Sequence, residues 1–409
     1  MEFSRFNNFL VASTVLAVFI AGVSFASNTD NFFIPAQPAS VANAQNNNQI
    51  IPSVPLPPPP PKKLANPPEI IKAVYVTGWS AGSKSYLKYL TNLFKTTEIN
   101  AVVVDIKDYS GLVSYASDAK EVKKYNLYNN AIPDINALVR FFHDQNVYVI
   151  GRIAVFEDPG YSKARPDLAV YDKTKTTDKT KPVLWLDNHK LSWLDPASEE
   201  VWNYNVSLAK DVLAHGFDEI NFDYIRFPSD GKTINMGFPV WDQKTERRVV
   251  LKNFFTYLRQ ALPDDKLSAD LFGQATVNSD DLGIGQVLED SLEFFDYVCP
   301  MVYPSHYATN FIGFENPADY PYEVVSYSMA KALKKEIAYK NLLENPTINL
   351  AKLRPWLQDF NMGAIYTAEM VKLQITASED GLKNEYNGYM LWSPTNIYKI
   401  GAVLKSTPK

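Results

Sequence analysis

The sequence has few of the residues that build metal and redox centres. Cys299 is the single cysteine among 409 residues, which excludes intrachain disulfides, cysteine-rich zinc sites and iron–sulfur clusters. The four histidines form no HExxH or HxH pattern, so a histidine-based zinc hydrolase is not predicted. No GxGxxG follows the first predicted strand, and no GxxxxGK motif ending in Ser or Thr occurs, which removes the dinucleotide and P-loop fingerprints. We expect a protein that uses no metal and no organic cofactor.

The sequence also lacks an excess of positive charge. Its 40 Lys and Arg residues are balanced by 45 Asp and Glu residues, and the net charge of −5 predicts no nucleic-acid partner. A hydrophobic content of 46% and a charged content of 21% are typical of a globular protein. Aromatic residues make up 13%, more than packing alone requires, and such rings also stack on sugars. The composition does not indicate an oligomeric state.

The N-terminal region is typical of an exported protein. Arg5 precedes an uncharged apolar run over residues 9–26, which ends in a small-x-small pattern at Ser24 and Ala26. Residues 1–26 are therefore predicted to be a signal peptide or a membrane anchor, and the membrane is a partner only if the segment is not cleaved. Residues 27–70 are predicted to be a disordered linker rich in Asn, Gln and Pro. We expect the remaining domain, 71–409, to lie outside the cytoplasm, either secreted or anchored at the cell envelope.

Short β-branched or aromatic runs alternate with amphipathic helical stretches from residue 71 onward. This alternation predicts parallel βαβ units, and eight repeats in about 340 residues favour a (β/α)8 TIM barrel, of the α/β class, over a doubly wound sheet. The predicted strands are 73–77, 101–106, 147–155, 219–225, 267–271, 297–302, 353–360 and 388–392. Long connections follow the third strand (157–194) and the fourth (228–241), on the face where barrel active sites are built.

Acidic residues end several of the predicted strands. Side chains alternate between the faces of a strand, so Asp223 points away from the side of its neighbours Phe222 and Tyr224. The same alternation turns Asp270 and Asp105 toward the barrel axis, where a charged group is costly unless it is paired or hydrated. Any one of these acids could merely cap the next helix. Together they predict an active site at the carboxyl rim of the barrel.

Further polar and aromatic residues lie at or near the strand ends. We predict that they bind sugar hydroxyls or provide stacking surfaces, with Lys107 also open to a role as a counter-ion: Asp105, Lys107, Arg152, Arg226, Tyr303, His306, Gln358, Asp359, Trp79 and Trp392. The pattern of strand seven does not decide whether Gln358 or Asp359 enters the site. For Asp108, Glu157 and Asp158, helix capping or a solvated loop position is the favoured interpretation.

A resemblance to a known family lies in five segments: AVVVDIKDYSG, INFDYIRFPSDG, CPMVYPSHY, RPWLQDF and GYMLWSPTN. In this order they resemble the glycoside-hydrolase-like TIM-barrel domain of bacterial exported proteins, over roughly residues 71–403. That family is similar to α-amylase-type barrels, in which the acid ending strand four is the nucleophile and the acid ending strand five is the proton donor. The resemblance therefore implies that Asp223 is the nucleophile and Asp270 the proton donor. It departs from the α-amylase pattern at Asn221, where those enzymes have Arg, and at Asp270, where they have Glu.

These features predict a glycoside hydrolase that acts on an extracytoplasmic polysaccharide, with a carbohydrate polymer as its partner. Two carboxylates flanking the glycosidic bond suffice for this reaction. Arg226 is expected to keep Asp223 ionised, and burial is expected to keep Asp270 protonated. Neighbouring strands favour the short carboxylate spacing of a retaining enzyme, ~5–5.5 Å. The alternative is a non-catalytic barrel that binds polysaccharide and tethers it to the cell envelope.

Overall fold

The computed structural model describes residues 59–345 and 347–405. The predicted signal or anchor at 1–26 and most of the predicted linker lie outside the described residues. Within the described ranges, no helix combines the length and apolar character that crossing a membrane requires.

Eight parallel strands close into a barrel, which confirms the predicted (β/α)8 architecture. Each strand pairs with the next along the chain, and the last pairs with the first through Ile71 and Gly388. The strands are β1 Ile71–Val76, β2 Ala101–Lys107, β3 Tyr148–Ala154, β4 Glu219–Asp223, β5 Lys266–Phe272, β6 Tyr297–Met301, β7 in two pieces, Lys352–Leu353 and Trp356–Gln358, and β8 Gly388–Trp392. The predicted continuous seventh strand is thus broken at Pro355, which has no backbone N–H to donate to a neighbouring strand.

Helices surround the barrel and connect consecutive strands. Their N-termini are frequently capped by Ser, Thr or Asp side chains, as at Ser83, Asp134 and Thr367. The α-helices are α1 Gly78–Ala81, α2 Lys84–Thr96, α3 Lys120–Tyr125, α4 Ile135–His143, α5 Pro159–Ala164, α6 Glu199–Ala214, α7 Arg247–Ala261, α8 Leu288–Ser291, α9 Pro321–Leu342 and α10 Ala368–Leu382.

The alternation of each strand divides the apolar residues into two layers. Outward residues such as Val104 and Phe222 belong to a large cluster shared with the helices. Inward residues such as Val103 and Ile150 form a second cluster inside the barrel. Because Phe222 faces the helices, Asp223 faces the barrel interior, as the sequence pattern predicted.

The two ends of the barrel are covered differently. At the carboxyl end, the long loops after β3 and β4 are joined by a short antiparallel ribbon between Tyr171–Asp172 and Met236–Gly237. At the amino end, residues 61–64 lie against the segments that precede β4 and β5. The Leu64 amide donates to Asp218 Oδ1 (2.6 Å), and Lys63 Nζ pairs with Asp265 (2.7 Å). We call residues 61–64 the strap.

Candidate active site

An arginine at the carboxyl end of the barrel joins three strands. Arg152 on β3 donates from Nη1 to Asp105 on β2 (2.5 Å) and from Nη2 to Asp223 at the end of β4 (2.5 Å). Its Nε lies 3.2 Å from Asp223 Oδ2 and 3.9 Å from Asp270 Oδ2 on β5. We call Asp105, Arg152, Asp223 and Asp270 the carboxylate cluster. Three carboxyl groups therefore share one guanidinium.

Asp270 is the most enclosed acid of the cluster, with 1% of the residue exposed. Its Oδ1 accepts hydrogen bonds from Asn221 Nδ2 (2.8 Å) and Trp356 Nε1 (2.8 Å). Its Oδ2 is buried and has no hydrogen-bond partner among the described residues. Burial and the nearby charge of Asp223 raise the pKa of Asp270 well above its ordinary value. The surroundings of this carboxyl therefore favour its protonated form.

Aromatic rings form one wall of the cluster. Tyr75 on β1 donates its hydroxyl to Asp105, and its ring stacks on Trp392 from β8, with 3.9 Å between centroids. The Arg152 guanidinium lies 5.1 Å from the Trp392 ring, within the range of a cation–π interaction. Burial raises the pKa of Tyr303, and the charges of Asp270 and Asp223 raise it further. These three rings and the Arg152 guanidinium form the boundary of a site that suits a polar, ring-shaped ligand.

The backbone directly after Asp223 is strained. Tyr224 has φ of +52°, a left-handed conformation that bulky residues rarely adopt. Its amide donates to Asp223 Oδ1 (2.5 Å), so the turn holds the carboxylate in place. This turn also explains why β4 ends at Asp223, two residues before the predicted end. Strained residues of this kind cluster at functional sites.

Arg226 does not pair with Asp223, contrary to the sequence-based expectation. The turn at Tyr224 directs Arg226 toward the loops, where its guanidinium lies 4.6 Å from the Trp193 ring and 4.9 Å from the Phe272 ring. It donates to Ser229 Oγ (3.0 Å). The counter-ion of Asp223 is Arg152, which the sequence had indicated only as a sugar-binding residue.

Three predicted binding residues do not contact the acids or the arginine of the carboxylate cluster. Lys107 is fully buried and donates to Asp158 (2.6 Å), which caps α5, and to a helical asparagine. Gln358 joins two loops, since its Oε1 accepts from the Ser305 amide (3.2 Å) and its Nε2 donates to a loop carbonyl. Asp359 pairs with Lys399 (2.7 Å) in the outer layer. Each of these polar groups has a partner within the protein.

The remaining predicted residues lie at the rim. His306 is exposed in the loop after β6, and its ring contacts Tyr303 with 5.2 Å between centroids. Trp79 on α1 is 65% exposed directly after β1. Within the described part of the chain, no group of three or more His, Cys, Asp and Glu side chains is arranged to hold a metal ion. The exposed rings are accessible to a ligand that extends beyond the cluster.

Sequence reasoning missed four participants. Tyr75, Asn221 and Trp356 contact the cluster acids directly, and their inward positions on β1, β4 and β7 were the available signal. Glu157 was interpreted as a capping or loop residue, but it is buried near Asp223. Its signal was its position at the exit of β3, on the rim where barrel active sites are built.

Comparison with protein families matches residues 73–398 to the family described as "Putative glycosyl hydrolase domain". The chain belongs to this family. The match covers most of the barrel and confirms the resemblance found in the sequence, and it supports a glycoside-hydrolase-like function. No curated protein sequence matches the chain with significance.

The chain is similar to several solved structures. A hypothetical protein from Ruminiclostridium thermocellum is 37% identical, covering 52% of this chain and 98% of its own, with a TM-score of 0.44. The glycoside hydrolase domain of PgaB (BpsB) from Bordetella bronchiseptica is 14% identical, covering 80% of this chain and 95% of its own, with a TM-score of 0.51. The α-galactosidase TtGalA from Thermus thermophilus is 13% identical, covering 82% of this chain and 60% of its own, with a TM-score of 0.46. The PgaB domain and this chain therefore share the barrel fold.

Proposed function

We propose that this protein hydrolyses glycosidic bonds in a polysaccharide outside the cytoplasm. The observation that carries the proposal is the convergence of Asp105, Asp223 and Asp270 on Arg152 at the carboxyl end of the barrel. Glycoside hydrolysis requires carboxyl groups in different protonation states at one site. Membership of the glycosyl hydrolase family supports the same reaction class. The extracytoplasmic location is proposed from the sequence of residues 1–26.

Asp223 is the nucleophile in this proposal. Arg152 binds its Oδ2, and the Tyr224 amide binds its Oδ1, so both oxygens have a fixed orientation. A carboxylate with a fixed orientation is suited to direct attack on the anomeric carbon, because little reorganisation is needed at the moment of reaction. Direct attack gives a covalent glycosyl-enzyme and net retention of configuration. Burial also raises the pKa of Asp105, but its two oxygens accept from Tyr75 and Arg152. Asp270 and Glu157, whose pKa values are raised as well, are therefore the candidates for the proton donor.

Tyr303, Trp392 and Trp79 provide the binding surfaces. Tyr303 lies next to the acids, Trp392 belongs to the aromatic wall, and Trp79 is an exposed ring on the rim. Aromatic faces and nearby hydroxyl groups suit the apolar faces and hydroxyls of sugar rings. A polymer that crosses the rim would contact all three.

The test measures release of reducing ends from a panel of bacterial and plant polysaccharides by the wild type and by Asp223→Asn. Asparagine keeps the shape of the side chain but removes the attacking charge, so we expect kcat to fall at least about a thousandfold. Proton NMR of the first-formed product should show the configuration of the substrate. Binding of a polysaccharide without release of reducing ends would instead favour a non-catalytic tether. Undiminished activity of Asp223→Asn would rule out Asp223 as the nucleophile.

A further inference from the structure

Glu157 is a buried acid that does not belong to the carboxylate cluster. It follows β3 at the start of the long loop, and 5% of the residue is exposed. No hydrogen bond or ion pair ties its carboxyl to another residue of the described ranges, although most buried carboxyls have such partners. Unlike Asp270 Oδ2, its carboxyl oxygens are not fully enclosed atoms without a partner, so water can reach them.

The backbone places Glu157 beside the end of β4. The Val155 amide donates to the Asp223 carbonyl (2.9 Å), and the Phe156 amide donates to the Tyr224 carbonyl (3.3 Å). Glu157 then pairs with Trp193 in an antiparallel bridge. The Trp193 ring contacts both the Tyr224 ring (6.0 Å between centroids) and the Arg226 guanidinium (4.6 Å). Glu157 therefore belongs to the same corner of the rim as Asp223.

The surroundings of Glu157 favour its protonated form. Burial raises the pKa of Glu157 to about 8, Arg226 lowers it, and the charges of Asp187, Asp223 and Asp230 raise it. A carboxyl with a pKa near the working pH can both give and take a proton. Glu157 is therefore in the state that a general acid requires.

Asp270 is less suited to proton transfer with a substrate. Its Oδ1 already accepts two hydrogen bonds, and its Oδ2 is buried without a partner. A substrate oxygen could reach Asp270 only after the surrounding side chains moved. Asp270 instead binds Asn221 and Trp356 through its Oδ1 and is therefore a positioning residue.

We propose that Glu157 is the general acid and base of this active site, a role that rests on the proposed glycosidase function. In the first step, the Glu157 proton passes to the glycosidic oxygen while Asp223 attacks the anomeric carbon. The electron pair of the breaking C–O bond stays on the leaving oxygen, and the sugar becomes bonded to Asp223. In the second step, Glu157 takes a proton from water, the resulting hydroxide attacks the anomeric carbon, and Asp223 is released as a carboxylate.

The test compares two leaving groups in Glu157→Gln. The probes are 2,4-dinitrophenyl and 4-methylumbelliferyl glycosides of common hexoses and hexosamines, in both anomeric forms. Dinitrophenolate leaves without being protonated, whereas the more basic methylumbelliferone leaving group depends more on proton donation by a general acid. We expect kcat/KM to fall at least about a hundredfold for the methylumbelliferyl glycoside and less than about tenfold for the dinitrophenyl glycoside. The basic limb of the wild-type pH profile should also be lost, and sodium azide should restore turnover of the dinitrophenyl glycoside by Glu157→Ala.

Two controls accompany these variants. Glu336→Gln removes another part-buried glutamate, on α9, whose pKa is raised by burial to about 7, and it should leave both rates unchanged. Asp270→Asn should lower both rates by a similar factor, because a positioning residue does not discriminate between leaving groups. Equal losses for both leaving groups in Glu157→Gln, with Asp223→Asn inactive, would overturn the role of Glu157 alone. A wild type that hydrolyses no glycoside and no polysaccharide would overturn the proposed function and the role of Glu157 with it.

Discussion

The barrel interior contains two buried groups of charges that differ in composition. The carboxylate cluster at the carboxyl end has three carboxyls and one guanidinium. The second group, which we call the lower pair, has one carboxylate, Glu219 at the start of β4, and one guanidinium, Arg354 from the interruption of β7. Both residues of the lower pair are 0% exposed. The two groups are therefore similar in burial but not in charge balance.

The hydrogen bonds of Glu219 show how a purely structural charge is accommodated. Its Oε1 accepts from Ser268 Oγ (2.6 Å) and from Arg354, and its Oε2 accepts from the Arg354 Nη1 (3.3 Å). The Arg354 guanidinium also lies over the Tyr297 ring, 4.0 Å from its centroid. Each charge thus has one opposite charge and further polar or aromatic contacts. The carboxylate cluster has no such balance, and this difference is consistent with our proposal that it is the active site.

The largest expected effect comes from breaking the lower pair. Glu219→Ala leaves the Arg354 charge buried without its partner, so we expect the free energy of unfolding to fall by about 3–5 kcal/mol. Asp223→Asn should change this free energy far less, although it abolishes activity. Urea unfolding of both variants measures the contrast.

A double variant controls for the loss of packing in this experiment. Glu219→Met combined with Arg354→Met replaces both charges with apolar side chains and should recover most of the lost stability. Equal destabilisation by Glu219→Ala and Asp223→Asn would mean that the two groups do not differ as described.

The strands of the barrel and their inward faces could be predicted from sequence, because side chains alternate between the two faces within each single strand. The inward direction of Asp105, Asp223 and Asp270 followed from their apolar neighbours. The counter-ion of Asp223 could not be predicted, because it depends on a single backbone turn. An extended conformation at Tyr224 would have continued β4 toward Arg226, whereas the observed φ of +52° ends the strand at Asp223.

Glu157 and the lower pair depend on contacts between distant segments. Glu157 forms an antiparallel backbone bridge with Trp193, which lies at the far end of the loop after β3. Arg354 meets Glu219 across the barrel, 135 positions earlier in the chain. No local pattern reports such contacts, so sequence reasoning interpreted Glu157 as a loop residue and gave no role to Arg354.

A smaller effect is expected from pH. The pKa of Glu157 is raised by burial from 4.5 to about 8, so the folded protein holds a proton that the unfolded chain loses near pH 4.5. This contribution to stability is complete at acidic pH and disappears as the pH rises toward 8. We expect the stability of the wild type relative to Glu157→Gln to fall by about 2 kcal/mol between pH 6 and pH 8.

Thermal unfolding over this pH range measures the difference. Glu315→Gln, which changes an exposed glutamate, should show no comparable dependence on pH. A pH-independent difference between the wild type and Glu157→Gln would show that Glu157 is ionised throughout the range. Such a result would contradict its proposed role as the general acid.

The smallest expected effect concerns the strap at the amino end. A variant beginning at residue 67 lacks the Leu64 bond to Asp218 and the Lys63 pair with Asp265, both of which a variant beginning at residue 59 keeps. We expect the shorter variant to lose about 1 kcal/mol of unfolding free energy, because the Lys63 pair is partly exposed and the Leu64 amide can bond to water instead.

The polysaccharide that the wild type hydrolyses fastest should be hydrolysed at equal rates by the two variants. The reason is that the strap and the carboxylate cluster lie at opposite ends of the barrel. A loss of activity in the shorter variant, at a temperature where both are folded, would mean that the amino end contributes to catalysis.

The position of the strap also decides how the barrel can be attached to a support. Lys63 and Leu64 of the strap lie next to the segments that precede β4 and β5, at the end remote from Asp223. A bead, a sensor chip or a display scaffold joined directly to residue 61 would therefore sit behind the barrel and leave the carboxyl end uncovered. Attachment through a surface loop on the rim, such as 228–241, would place the support in the path of the substrate.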